Sequence, residues 1–188
     1  MKFLDPSLLF YTSDTHFRHK AILRYQPNRN YENVDAMNEA LINNWNAVVP
    51  TNGIVIHHGD FAFASKNQIR RFREQLNGHI ILIRGNHDYK SEVIDVFGRE
   101  NLHQSLVIYV NGQTVHCSHH PMASWEDAED GGWHTHGHYH GHTVDHNDGH
   151  YKRKDVGIDT HERQCPYAHA ELKAIMDTRL VVPQRHPE

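Results

Sequence analysis

Five short segments of the chain carry residue types able to hold metal ions. In chain order they read Asp14-Thr15-His16, Gly59-Asp60, Gly85-Asn86-His87-Asp88, Ser118-His119-His120-Pro121 and Gly137-His138-Tyr139-His140. Together they offer carboxylate oxygens, an amide oxygen and several imidazole nitrogens. That mixed set suits Mn²⁺, Fe²⁺, Zn²⁺ or Ni²⁺ and does not suit a thiolate-type site. Asp14 and His16 are two residues apart, so extended backbone projects them to one side, and the same holds for His138 and His140. One such pair is close to a chance event in a chain with 20 histidines. The ordered series of five is far more specific.

The last segment lies inside "HTHGHYHGHT" (134–143), with histidine at every second position from His134 to His142. Taken alone, that stretch fits a low-complexity metal sponge as well as an ordered site in which only some histidines are ligands. Neutral imidazole is both a ligand and a proton carrier near pH 7.

The elements that must position these residues are legible from hydrophobic pattern. "LLFYTSD" (8–14), "GIVIHHGD" (53–60) and "HIILIRGNHD" (79–88) are short apolar runs ending in polar residues, which predicts buried strands running into loops. Val34, Met37, Leu41, Trp45 and Val48 fall at helical spacing, with Pro50 as the stop. The stretch 65–78 predicts a second helix with Ser65 as N-cap and Gly78 at its end. Strand, helix, strand, helix, strand argues for an α/β domain with parallel strands. The stretch 105–121 predicts a hairpin turning at Asn111-Gly112. Residues 122–153 read as irregular loops with one strand, 154–159 as a further strand, and 167–179 as a C-terminal helix. In α/β sheets, functional residues gather in the loops past the carboxyl ends of strands, where Asp14, His16, Asp60, Asn86, His87 and Asp88 all fall.

Bulk properties narrow the class. With 188 residues, 38% hydrophobic and 22% charged, the chain suits one soluble domain spanning 1–188. The formal net charge of -4 gives no broad electrostatic case for binding long duplex nucleic acid. "MKFLDPSLLFYTSD" has no long apolar run after its lysine, and no stretch approaches a membrane span, so a cytoplasmic protein is expected. Two cysteines, Cys117 and Cys165, argue against a disulfide framework and read as inert, partly buried thiols. His57 and His58 sit inside a strand pattern and are expected to be packed histidines. Spacing alone does not choose between His119 and His120 as a ligand.

The ordered series resembles the calcineurin-like metallophosphoesterases, whose segments run Asp-x-His, Gly-Asp, Gly-Asn-His-Asp/Glu, a histidine, then Gly-His-x-His. The match spans residues 14 to 140, and "DVGIDT" (155–160) is similar to the strand that often follows. "TSDTHFRHKAIL" and "WNAVV" look most like the small bacterial and phage members, in which the position of Arg18 is often glycine. The resemblance implies a four-layer α/β/β/α sandwich, with two central mixed sheets flanked by helices. It also implies two divalent metal ions, Mn²⁺ first, with Fe²⁺, Zn²⁺ or Ni²⁺ as alternatives. One ion would be held by Asp14, His16, Asp60 and His140, the other by Asp60, Asn86, His119 and His138, with Asp60 bridging. His87 would be a non-ligand general acid oriented by Asp88. Arg84, Arg18 and His136 are weaker candidates for substrate contact.

Such a pair of ions can clamp a phosphoryl group and activate water, which makes a phosphoesterase the expected activity. The second motif, "GDFAFASK", lacks the Asp-Arg-Gly of the protein phosphatases. Expected substrates are therefore phosphodiesters or small phosphomonoesters, including nucleotides and nucleic-acid ends, with no membrane partner. A reading from another class is a histidine-rich metal buffer or sensor without catalysis. A mononuclear zinc hydrolase lacks its HExxH motif and leaves Asp60 and Asn86 unexplained.

Overall fold

The computed structural model describes residues 4–88, 91–142 and 150–183. Two mixed sheets lie face to face. The first contains β1 (Leu9–Thr12), β2 (Ile54–His57), β3 (His79–Ile83), β4 (Leu102–His103) and β9 (Tyr167–Ala168), in the order β4-β3-β2-β1-β9. Strands β1 to β4 run parallel, as the strand-helix alternation predicts, and β9 closes the edge antiparallel. The second contains β5 (Ser105–Val110), β6 (Gln113–Ser118), β7 (Trp133–His136) and β8 (Arg153–Asp155), in that order.

Strands β1, β2 and β3 carry apolar residues on both faces because both are covered. Phe10, Val55, Ile80 and Leu82 face the helices, where they pack with Met37, Leu41, Trp45 and Ile69. Leu9, Tyr11, Ile56 and Ile83 face the second sheet and meet Ile108, Val110, Val115, Cys117 and Trp133. The helices on the first face include α1 (Ile22–Tyr25), α2 (Val34–Val48), α3 (Lys66–Gln75) and α4 (Ser91–Phe97). Helix α2 has the predicted bounds, and Asn33 caps it by accepting from the Asp35 and Ala36 amides. Ser65 and Gln68 form a capping box on α3, which satisfies amides that the first helical turn leaves without partners. Helix α5 (His169–Asp177) adds Leu172 and Met176 to the inter-sheet core.

The hairpin turns at Asn111 and Gly112, both at positive φ (49° and 83°), as a type I′ turn requires. The stretch 154–159 departs from the strand expected there. Strand β8 ends at Asp155 and a 3-10 turn covers Ile158–Thr160. Within 122–153 the single expected strand is β7; residues 143–149 lie outside the described residues. No helix among the described residues is long and apolar enough to cross a membrane.

Candidate metal centre

The loops after β1, β2, β3, β6 and β7 meet at one end of the two sheets. Asp14, His16 and His140 place one ligand atom each within 4.8 Å of one another, and so do Asp14, Asp60 and His119. Asp60 Oδ2 lies 3.6 Å from His16 Nε2 and 3.7 Å from His119 Nε2. His140 Nε2 is 3.9 Å from Asp14 Oδ1. Asn86 Oδ1 lies 2.8 Å from His119 Nε2 and 2.9 Å from His138 Nδ1. All seven expected ligands are brought together, with Asp60 between the two groups.

Local backbone makes this convergence possible. Asp14, His16, Asp60, His138 and His140 all have positive φ, between 49° and 74°. Few non-glycine residues adopt that conformation, and those that do cluster at functional sites. The motif glycines matter through close approach. A β-carbon on Gly85 would overlap the Asp60 carboxylate, and one on Gly137 would lie 2.6 Å from Asp14 Oδ2.

Each carboxylate is fixed through one oxygen and presents the other. The His87 amide donates to Asp60 Oδ1 (2.9 Å) and the His138 amide to Asp14 Oδ2 (2.9 Å). Asp60 Oδ2 and Asp14 Oδ1 are left facing the histidines. Three imidazoles are aimed the same way. His119 Nδ1 donates to the His58 carbonyl (2.7 Å) and His140 Nδ1 to Asp159 Oδ2 (2.6 Å). His16 Nδ1 meets His19 Nδ1 at 3.2 Å. With Nδ1 occupied, each ring directs its Nε2 lone pair into the cluster, the arrangement that metal-ligating histidines adopt.

The donor set fits a cation. Asp14 Oδ1 and His16 Nε2 are buried and lack a hydrogen-bond partner. Burial pushes the Asp14 carboxyl up to about 8 and the Asp60 carboxyl up to about 7. The same desolvation drives His119 down to about 3 and His16 well below the usual histidine range. Grouped lone pairs that are costly to protonate or to ionise alone are resolved by a divalent ion.

Two residues the sequence reasoning missed hold the first group. The side chains of Arg29 and Asp159 are fully buried and form a bidentate pair, Nε to Oδ1 at 2.6 Å and Nη2 to Oδ2 at 2.7 Å. Arg29 also donates to the carbonyls of Thr15 (3.0 Å) and Asp14 (2.5 Å). Burial disfavours charge on Asp159, but the His140 and Arg29 hydrogen bonds outweigh it and hold the carboxyl low. Burial likewise opposes charge on His140, and the Asp159 bond and nearby carboxylates override it upward. Asp159 lies within the "DVGIDT" segment, which is similar to the family but gave it no role; nothing local marked Arg29.

His87 is at the rim. Its side chain is 42% exposed, and Nε2 lies 3.8 Å from Asp60 Oδ2. The expected orientation of His87 by Asp88 is not what the geometry gives. Both Asp88 oxygens are taken by backbone amides, those of Asp60 (2.6 Å), Phe61 (3.1 Å) and Gly85 (2.9 Å). Asp88 therefore ties the β2 and β3 loops together, and its charge reaches His87 only through space, opposing the downward pull of desolvation.

The weaker candidates are Arg18, His136 and Arg84. Arg18 pairs with Asp35 on α2 at 2.8 Å. His136 is fully buried. Arg84 donates its amide to the His103 carbonyl, and its side chain is half-buried. His57 and His58 are fully buried and hydrogen-bonded to Thr15 and Thr135 respectively. Both cysteines are buried and unpaired by disulfide. His134 is fully buried, with Nδ1 at 3.1 Å from the His116 carbonyl and Nε2 accepting from the Met122 amide (2.9 Å). His120 is exposed, and its ring lies 4.2 Å from that of His138.

Two mixed sheets with flanking helices and a strand-end cluster are the architecture that the resemblance to the calcineurin-like metallophosphoesterases implies. The solved structure of AQ665, a protein of unknown function from Aquifex aeolicus, has this fold. It superposes with a TM-score of 0.69 at 21% identity, over 89% of this chain and 98% of that one. The chain belongs to the family of MJ1445, an uncharacterized protein of Methanocaldococcus jannaschii. The two are 40% identical over 140 residues, 73% of this chain and 72% of that one. A novel archaeal phosphodiesterase is similar over 73% of this chain and 76% of its own at 21% identity, but a TM-score of 0.42 is too loose to carry function. No known family profile matches the chain.

Proposed function

We propose that the protein is a metal-dependent phosphoesterase acting on phosphodiesters or small phosphomonoesters, nucleotides included. The observation that carries this reading is the position of Asp60. Its free oxygen stands between His16 and His119, members of two adjoining donor groups. Asp14, His16, Asp60 and His140 would hold one divalent ion; Asp60, Asn86, His119 and His138 would hold the second, with Mn²⁺ favoured. A bound pair supplies Lewis-acid polarisation of a phosphoryl oxygen and a nucleophile at neutral pH.

This chain's own residues would do the rest. Asp60 separates the two positive centres, which would otherwise repel each other. His87, exposed beside Asp60, would hold a proton on Nε2 and pass it to the oxygen of the departing group. Positioned acids of this kind contribute typically about 10²–10⁴-fold in rate.

The test is metal content and activity of Asp60→Asn. Loss of the ion pair together with hydrolysis of bis(p-nitrophenyl) phosphate and p-nitrophenyl phosphate is expected. A variant that keeps several bound ions would favour the metal-buffer reading. Turnover of the monoester alone would remove the diesters.

A further inference from the structure

Beside the metal centre the protein carries an aromatic step that the metal chemistry does not use. Phe63 is 37% exposed although its backbone is anchored, with its amide donating to the Phe17 carbonyl at 2.8 Å. Phe17 itself is fully buried and stacks on Phe72 (4.7 Å, 12°). The Phe63 ring is therefore presented on a rigid stem. His19 covers one face at 3.8 Å and 16°. The His16 ring also stacks on Phe63, more distantly (5.4 Å, 22°), and the His87 ring stands 4.5 Å away, tilted by 48°. Tyr25, 63% exposed, lies edge-on to His19 at 6.4 Å.

An anchored aromatic ring that keeps 37% of its surface exposed can serve as a stacking platform, and here it adjoins His16 and the rim residue His87. Stacking is indifferent to sequence because every base has a π-face.

We infer that Phe63, backed by His19, is the subsite for the base of a nucleoside phosphoester whose phosphate sits at the metal centre. This deepens, and rests on, the phosphoesterase reading above.

The test is calorimetric titration of the Mn²⁺-loaded protein with two non-hydrolysable phosphonates, analogues of adenosine 5′-monophosphate and of ribose 5-phosphate. The adenosine compound is expected to bind about tenfold tighter, the scale of one base on one aromatic ring. Phe63→Leu should bring the two affinities together, and Phe63→Tyr should keep them apart. Equal affinities in the unaltered protein, or a base advantage that survives Phe63→Leu, would overturn the subsite and leave the phosphoesterase reading standing. Binding of neither compound would overturn both.

Discussion

His140 and Asp159 are joined by a hydrogen bond of 2.6 Å, and Asp159 is in turn clamped by the buried Arg29. The bond fixes the imidazole so that Nε2, not Nδ1, faces Asp14. Partners of ligating histidines typically change metal affinity by about 10–100-fold when removed. Asp159→Ala should therefore weaken metal binding by that factor. Metal titration with a competing chelator checks it, and unchanged affinity would mean that packing alone orients His140.

Arg29→Met tests the other end of the chain. It strands the Asp159 carboxylate without its bidentate partner and frees the carbonyls of Asp14 and Thr15. Breaking a buried pair from one side costs about 3–5 kcal/mol. Urea unfolding should show a loss of that size, whereas a surface-type effect below about 1 kcal/mol would refute it.

Gly85→Ala should disable the site without touching a ligand. The added β-carbon would overlap the Asp60 carboxylate, so Asp60 or the β3 loop must move. Overpacking of this kind costs about 1–3 kcal/mol. A lower melting point together with reduced bound metal is expected.

His134 separates stability from catalysis. It fastens the segment after β6 through Met122 and His116. Burial, with His136 nearby, keeps its pKa well below the usual range, so it folds neutral. Unfolded, it takes up a proton near pH 6.5. The unfolded state then binds more protons, and stability falls as pH drops below about 6.5, by up to about 1.4 kcal/mol per pH unit. His134→Gln should lower stability at pH 8 and flatten that slope, with metal content intact. An unchanged slope would mean that other buried histidines carry it.

How much was legible from sequence depended on distance along the chain. Helix α2 was readable to the residue because its apolar stripe and Pro50 agree. The seven candidate ligands were readable because each strand runs into short polar residues, a local pattern, and because the order of those segments resembles one family; that resemblance, not spacing, chose His119 over His120. Arg29 was not readable, since its partner Asp159 lies 130 positions away and an isolated arginine before Asn30 looks like an exposed loop residue. Asp88 misled for a related reason. Adjacency to His87 suggested a side-chain pair, while the tight Gly85 turn directs the carboxylate to backbone amides. The period-two histidines also divide along physical lines. β7 buries His134 and His136, and only beyond its end do His138 and His140 reach the cluster.

The positive φ angles at Asp14, His16, Asp60, His138 and His140 have a thermodynamic side. Each such residue costs about 1–3 kcal/mol, and the folded chain carries that burden before any ion arrives. Ions that bind only the folded form offset it by mass action, at about 1.4 kcal/mol for every tenfold rise in free ion above the dissociation constant of a site. On the two-ion reading proposed above, the melting temperature would rise with the free metal around the protein, and cells short of that metal would hold a more easily unfolded, more readily degraded pool.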